Sequence, residues 1–388
     1  MTSTFSICAP ALMGFGASLA IGEKCAELGV KKAILVFDQG VENAGLTKGV
    51  EKSLKDAGID YVVFKDVAAD PTDVSIEAGG KVGREAKVEA VIGVGGGSVL
   101  DTAKGINVLM GNPSPLSDYF LGGKPTNPGL PIFLIPTTGG TGSECTLSCI
   151  VTDVKARRKT TIRSKNCNLS TLAIVDPELM MGLPPLLTAI TGIDAFAHAA
   201  ECATNNKTNP VSDALAKEAI GNLVRHLPRA VADGSDREAR EKVAISAMMA
   251  GTAFANSLPH LGHCFGHSIG ATLHLPHGLA VGAAIAQALC FVSDAVPEKI
   301  RAVGSAMGLD MSSAGDPISI GRKVGEAVLK FKEEIKLPAL KDQKGVTREA
   351  VVSAHPLVTK DGCYPFSAKK LTEDQTKELL GKMYDGVL

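Results

Sequence analysis

Eight histidines occur in 388 residues, and five of them fall between positions 260 and 277. Imidazole binds divalent metals as a neutral ligand and exchanges protons near neutral pH, so its concentration here is a chemical signal. In GHCFGHSIGATLHLPHG, residues 262–278, His263 and His267 are four apart, which puts both on one face of a helix. His277 follows between Pro276 and Gly278, a combination that predicts a rigid turn. A second stretch, TAITGIDAFAHAAECA at 188–203, sets Asp194 and His198 four apart among small apolar residues. A carboxylate in such surroundings is costly to bury without a cation or a hydrogen-bond network. Alone, the Asp194–His198 pair is equally consistent with a helical hydrogen bond or an exposed face. Together with His263 and His277 it makes a set of one carboxylate and three imidazoles, suited to Fe(II), Zn(II) or Co(II) and without the thiolates of a structural zinc. Such a set can keep a position open for substrate, and the small residues among the histidines would leave room there for substrate and cofactor.

Two glycine-rich turns suggest what that cofactor is. VIGVGGGSVLDTAKG (91–105) passes from a buried strand through Gly95, Gly96 and Gly97 to Ser98 and a segment carrying Asp101 and Lys104. Glycines at a strand-to-helix turn let the backbone approach a phosphate, and the helix start offers it free N–H groups. The spacing is not the G-x-G-x-x-G fingerprint, and a tight structural turn is the competing explanation. A second turn, IPTTGGTGSE (135–144), supplies hydroxyls from Thr137 and Thr138. Two such turns at strand ends of one sheet mark the crevice where nucleotides bind. Asp38 ends AILVFDQG, where an acid can accept from ribose hydroxyls and repel the extra phosphate of NADP, or can simply open the turn to Gly40.

The elements that must position these groups divide the chain in two. Up to about residue 180, apolar β-branched runs at 31–38, 60–67, 89–96 and 130–138 alternate with helical segments such as 46–57 and 72–87, which predicts a doubly wound α/β domain. Beyond it lie long helical patterns at 186–204, 210–232, 236–257 and 317–335. The paired Pro184 and Pro185 set the expected boundary, giving an α/β domain over 1–183 and a helical domain over 184–388. A formal charge of −1 gives no whole-chain attraction to nucleic acid or anionic membrane. Nine scattered cysteines, odd in number and without a C-x-x-C pair, fit reduced thiols in the cytoplasm. No stretch offers the about 20 uninterrupted apolar residues of a membrane span, and the N-terminal run has no basic residue before Lys24.

GGGSVLDTAK, PTTGGTGSE, TGIDAFAHAAE, GHCFGHSIG and LPHG, in this order, resemble the motifs of the iron-containing (group III) alcohol dehydrogenases across roughly residues 10 to 290. The resemblance implies an N-terminal Rossmann-like domain that binds NAD(H), an all-α C-terminal domain, and a divalent metal in the cleft between them, the architecture shared with dehydroquinate synthase. It implies Fe(II) first and Zn(II) second, held by Asp194, His198, His263 and His277, with His267 near the nicotinamide and substrate. It assigns Gly95, Gly96, Gly97 and Ser98 to the pyrophosphate, Thr137 and Thr138 to the nucleotide, Asp38 to the adenosine ribose, and Lys159 in VTDVKARRKT to the cofactor. His260 and His274 match no motif position and are expected to be bystanders, and DGCYPFSAKKLTEDQ (361–375) lacks the Asn-Pro-Arg that many members carry after an Asp-x-Cys.

The expected activity is hydride exchange between NAD(H) and a small primary alcohol or aldehyde, such as a diol, lactaldehyde or sulfoacetaldehyde, in a homo-oligomer of two or more chains. His267 is the expected proton relay, with orientation of the nicotinamide or packing as its rival roles. The rival functions are a lyase or synthase of the dehydroquinate synthase type and a metal-binding module without turnover.

Overall fold

The computed structural model describes residues 2–6, 8–313 and 315–388. Two compact units emerge, one ending at Gly182 and the other formed by Leu183–Leu388 with residues 2–6.

The first unit is built on a six-stranded parallel sheet. Its strands are β1 (Ala11–Met13), β2 (Lys32–Val36), β3 (Asp60–Phe64), β4 (Ala90–Gly95) and β5 (Ile132–Pro136), and after a hairpin of β6 (Ser148–Asp153) and β7 (Arg158–Arg163), β8 (Leu172–Val175). They lie in the order β1-β8-β5-β4-β2-β3, and every pair is parallel. AVIGVG, IFLIP and, after Lys32, the rest of KAILV are apolar throughout because helices cover both faces. Successive residues serve opposite cores: Ile34 and Val36 pack on one face with Val91 and Leu134, while Ala33 and Leu35 pack on the other with Ile92 and Phe133.

The four expected strands are present, trimmed by a residue or more at their ends. Four strands were not legible, β6 among them. β1 and β8, which pair Ala11 with Ala173, are three and four residues long, too short to display a period of two. RKTTIR of β7 contains no apolar run, yet its pairing with β6 makes a regular antiparallel ribbon.

After β2 the chain moves outward to β3 and then returns to the other side of β2 as β4. This reversal leaves the carboxyl ends of β2 and β4 flanking a crevice, the place where open parallel sheets bind ligands.

The second unit is helical. Helix Pro185–Thr204 opens with proline at its first turn, where the missing N–H costs nothing, and from Ile193 to Thr204 every residue is buried. It packs against Pro210–Ala232 and Arg237–Asn256, while Leu261–Leu273 packs on His277–Val292. Phe196 meets Phe331 of helix Pro317–Glu334 with ring centroids 5.2 Å apart. His277 is the first residue of a helix rather than the tip of a turn, because Pro276 at ψ 134° stops the preceding segment and releases a new helix after it. Among the described residues no helix is long and apolar enough to cross a membrane.

Candidate metal centre and dinucleotide turns

Three helices of the second unit converge on one carboxylate. His263 Nε2 lies 3.7 Å and His277 Nε2 3.3 Å from Asp194 Oδ1, and one donor atom from each of the three residues falls within 4.8 Å of the others. His198 stands beside this group, its Nδ1 3.9 Å from Asp194 Oδ2 and its ring stacked on His263 at 4.5 Å. Asp194 Oδ1, His263 Nε2 and His198 Nδ1 are buried and have no hydrogen-bond partner. Burial pushes His198 down to about 4 and His263 to about 3, so both imidazoles are neutral at physiological pH. Burial alone would raise the Asp194 carboxyl, but the neighbouring His198 and His277 outweigh it and hold it well below the usual range. Orphaned donors on a carboxylate and two imidazoles are the facial donor set of Fe(II) sites, so the residues present fit an iron ion.

One residue behind this set, the last of TGIDAFAHAAE, carries a role that its motif position does not announce. Glu201, seven residues beyond Asp194 on the same helix, is fully buried and accepts the backbone N–H groups of His260, Gly262 and His263 at 3.1, 2.6 and 3.1 Å. It also meets His263 Nδ1 and stands 3.4 Å from His260 Nδ1, so the His263 ring is fixed with Nε2 toward Asp194. A metal-ligating histidine commonly has its second nitrogen held by such a carboxylate. His260 is therefore not a bystander: its backbone reaches Glu201, and its Nε2 is 2.8 Å from Thr204 Oγ1. His274, at φ 54°, ends the Leu261–Leu273 helix in the left-handed region.

Three of the glycines among the histidines, Gly262, Gly266 and Gly278, do not hold space for substrate. A Cβ on Gly262 would meet the Glu201 carboxylate at 3.0 Å, on Gly266 the Val281 side chain at 2.5 Å, and on Gly278 the Ile190 carbonyl oxygen at 2.2 Å. They let three helices approach closely enough for their histidines to share one point.

His267, one turn beyond His263, faces another partner. Its ring stacks on His277 at 5.2 Å, and its Nδ1 is 2.8 Å from Asp361 Oδ2. Asp361 lies in the turn after helix His355–Val358, and its Oδ1 accepts the Cys363 N–H at 2.8 Å. Burial would raise this carboxyl, but the bond to His267, the charge of that imidazole and the bonds to Cys363 together outweigh burial and bring it down to about 2.

In the first unit both glycine turns sit at carboxyl ends of central strands. Helix Gly97–Gly111 follows β4 directly, and no side chain caps its N-terminus at Gly96. A Cβ on Gly95 would strike Val99 at 2.5 Å and one on Gly97 would strike Thr141 at 2.8 Å, whereas on Gly96 the nearest atom is 3.5 Å away. The fold itself needs glycine at 95 and 97, while Gly96 leaves a free approach of the kind a phosphate requires. Ser98 turns its hydroxyl to the Ala69 carbonyl. Thr137 is buried with its N–H on Gly95 O at 3.0 Å, and the Thr138 side chain is the one nearest Gly96. Asp38 caps helix Gln39–Asn43 through Val41 N–H at 2.8 Å. Lys159 on β7 pairs with Asp70 at 2.6 Å, both more than half exposed.

The two turns are locked together by a buried ion. Lys104 is fully buried and donates to Ser143 O, Ser143 Oγ, Thr146 Oγ1 and Ser148 O at 2.6, 2.8, 3.2 and 2.9 Å. Asp101 accepts from Ser143 Oγ at 2.7 Å and Ile150 N at 3.1 Å. One helical turn of the first motif thus holds the backbone of the second.

Known proteins share this arrangement. Residues 10–177 match the model of iron-containing alcohol dehydrogenases, and residues 188–384 match the C-terminal part of the Fe-containing alcohol dehydrogenase family. The 1,3-propanediol dehydrogenase of Citrobacter freundii is 34% identical over 96% of both chains. The NAD-dependent methanol dehydrogenase of Bacillus methanolicus is 32% identical over 90% of this chain and 91% of its own. A crystal structure of 1,3-propanediol oxidoreductase superposes with a TM-score of 0.93 at 32% identity, covering 98% of this chain and all of the other. These matches side against a dehydroquinate synthase type of chemistry. Both halves of the sequence lead to one assignment: the chain belongs to the iron-containing alcohol dehydrogenase family of NAD-dependent oxidoreductases.

Proposed function

We propose that this enzyme interconverts small primary alcohols and aldehydes of about two to four carbons, diols among them, using NAD(H) and one Fe(II) held by Asp194, His198, His263 and His277. The observation that carries the reading is the meeting of buried Asp194 and His263 with the more exposed His277, where Asp194 Oδ1 and His263 Nε2 have no hydrogen-bond partner. When bound, iron supplies Lewis-acid polarisation of the substrate oxygen and the nicotinamide takes or returns the hydride.

The chain's own residues do the rest. His198 and His263, kept neutral by burial, offer lone pairs without first losing a proton. The N–H groups that open helix Gly97–Gly111, at Gly95, Gly96, Gly97 and Ser98, hold the pyrophosphate, and Thr137 and Thr138 line the same turn. Asp38, fixed as a helix cap at the end of β2, faces the adenosine ribose and disfavours NADP. Lys159 approaches the cofactor from β7. His267 takes the alcohol proton at Nε2 and passes it to water, its Nδ1 being engaged by Asp361. Residues 1–183 thus serve the dinucleotide and 184–388 the metal and the proton. Aromatic residues are only 4% of the chain and tryptophan is absent, which favours a small, polar substrate over one held in an aromatic cage. The scattered, odd-numbered cysteines favour a cytoplasmic setting, and a homo-oligomer is the expected assembly.

The test is a panel of C2 to C4 alcohols and aldehydes assayed with NAD(H) after chelation and reloading with Fe(II) or Zn(II). Turnover that returns with Fe(II) supports the reading. Failure of the loaded protein to bind NADH would leave a metal-binding module without turnover.

A further inference from the structure

A histidine that carries a proton must present one nitrogen to its donor, and the other nitrogen's partner decides which. On helix Leu261–Leu273, two histidines one turn apart each have Nδ1 against a carboxylate from another segment: His263 against Glu201 and His267 against Asp361. The two pairs differ in exposure. His263 and Glu201 are sealed, at 3% and 0%, whereas the His267 side chain is 40% exposed and Asp361 15%. The sealed pair suits a fixed ligand, and the open pair suits a proton that must reach water.

We propose that Asp361 is a positioning residue for the reaction: by accepting from His267 Nδ1–H it keeps Nε2 unprotonated and turned away from itself as the single nitrogen that exchanges the substrate proton. This rests on the reading of His267 as the proton carrier. Asp361 is itself held for the task, because its second oxygen accepts the Cys363 N–H and closes the turn in which Tyr364 N also bonds Asp361 O at 3.1 Å. Helix Leu261–Leu273 packs on His355–Val358, just before that turn, so the carboxylate and the imidazole are brought together by neighbouring elements. The bland alternative is that Asp361 only closes the turn.

Asp361→Asn separates the two. Asparagine keeps an oxygen for Cys363 N–H but offers His267 an NH2 donor, which forces Nδ1 to accept and moves the ring proton to Nε2, the wrong tautomer. Expected for D361N is a fall in kcat of about 10–100-fold, with KM for NAD and iron content unchanged, and substantial recovery in D361E, which restores a carboxylate. The double variant D361N/H267A should be no slower than H267A, because both changes act through one imidazole. An unimpaired D361N beside an impaired H267A overturns this inference alone, as do losses that multiply in the double variant. A fully active H267A instead removes the reading of His267 on which it rests. If D361N fails to fold, nitrogen-15 NMR of histidine-labelled, zinc-loaded protein decides: the His267 proton on Nδ1 supports the inference, and a proton on Nε2 overturns it.

Discussion

Asp194 stands at the point where three helices meet, and each of its neighbours can be weighed separately. His263→Ala and His277→Ala each remove an imidazole that has no replacement, so the purified variants should carry little iron; full iron content with full activity in either would reject the ligand set. Glu201→Gln keeps an acceptor for the backbone N–H groups but loses the charge opposite His263 Nδ1. Its affinity for iron should drop about 10–100-fold, read by competition with a colorimetric chelator, and an unchanged affinity would make Glu201 a purely structural residue. Asp38→Gly should narrow the preference for NAD over NADP, and an unaltered ratio of kcat/KM values would remove the ribose role. Asp194, His198, His263 and His277 were visible in the sequence because i,i+4 spacing and motif order survive in one dimension. Glu201 and Asp361 lie in TGIDAFAHAAE and in the Asp-x-Cys at 361–363, but their roles were not readable, since their imidazole partners sit 62 and 94 positions away in the chain. The packing role of Gly266 and Gly278 was not readable, because only the packed helices reveal that Val281 and the Ile190 carbonyl occupy the space beside them.

At the scale of elements, the crevice depends on the tie between the helix after β4 and the turn after β5. Lys104→Met would leave Asp101 buried without its cation, an arrangement that costs about 3–5 kcal/mol when one partner of a buried pair is removed. Urea unfolding should register that loss with a raised KM for NAD, while iron binding in the helical unit stays intact. Glu144, in the second turn, is buried with Oε2 unpartnered, and burial pushes it up to about 7. The folded protein therefore holds a proton that the unfolded chain has released above about pH 4.5, and stability falls as pH rises from there to about 7. Glu144→Gln should flatten that fall, by up to about 3 kcal/mol between pH 5 and 8, as read from melting temperatures at the two pH values; parallel curves would show that the carboxyl is ionised in the fold. The alternation of apolar runs with helical segments made the central strands legible, whereas β1, β8 and the β6–β7 ribbon exist only through their pairing partners.

For the whole molecule, metal and fold are linked because the folded chain binds the ion and the unfolded chain does not. Iron at a hundredfold excess over its Kd should add about 2.7 kcal/mol to stability, a shift of roughly 5–10 °C in Tm for a unit of this size. Chelation should reverse it in the wild type and leave H277A unmoved. The division into a sheet-based and a helical unit follows the change of sequence pattern, and Pro185 opens the first long helix of the second unit, which begins at Leu183 and also holds residues 2–6. The central claim is that one iron at Asp194, His198, His263 and His277 is required for NAD-linked turnover. Titrating Fe(II) into chelator-stripped protein while following NADH formation from the C2 to C4 alcohol that turns over fastest tests it most directly. Activity should rise in proportion to added iron and stop at one ion per chain, with H277A flat throughout; stripped protein that turns over as fast as the loaded enzyme would contradict it.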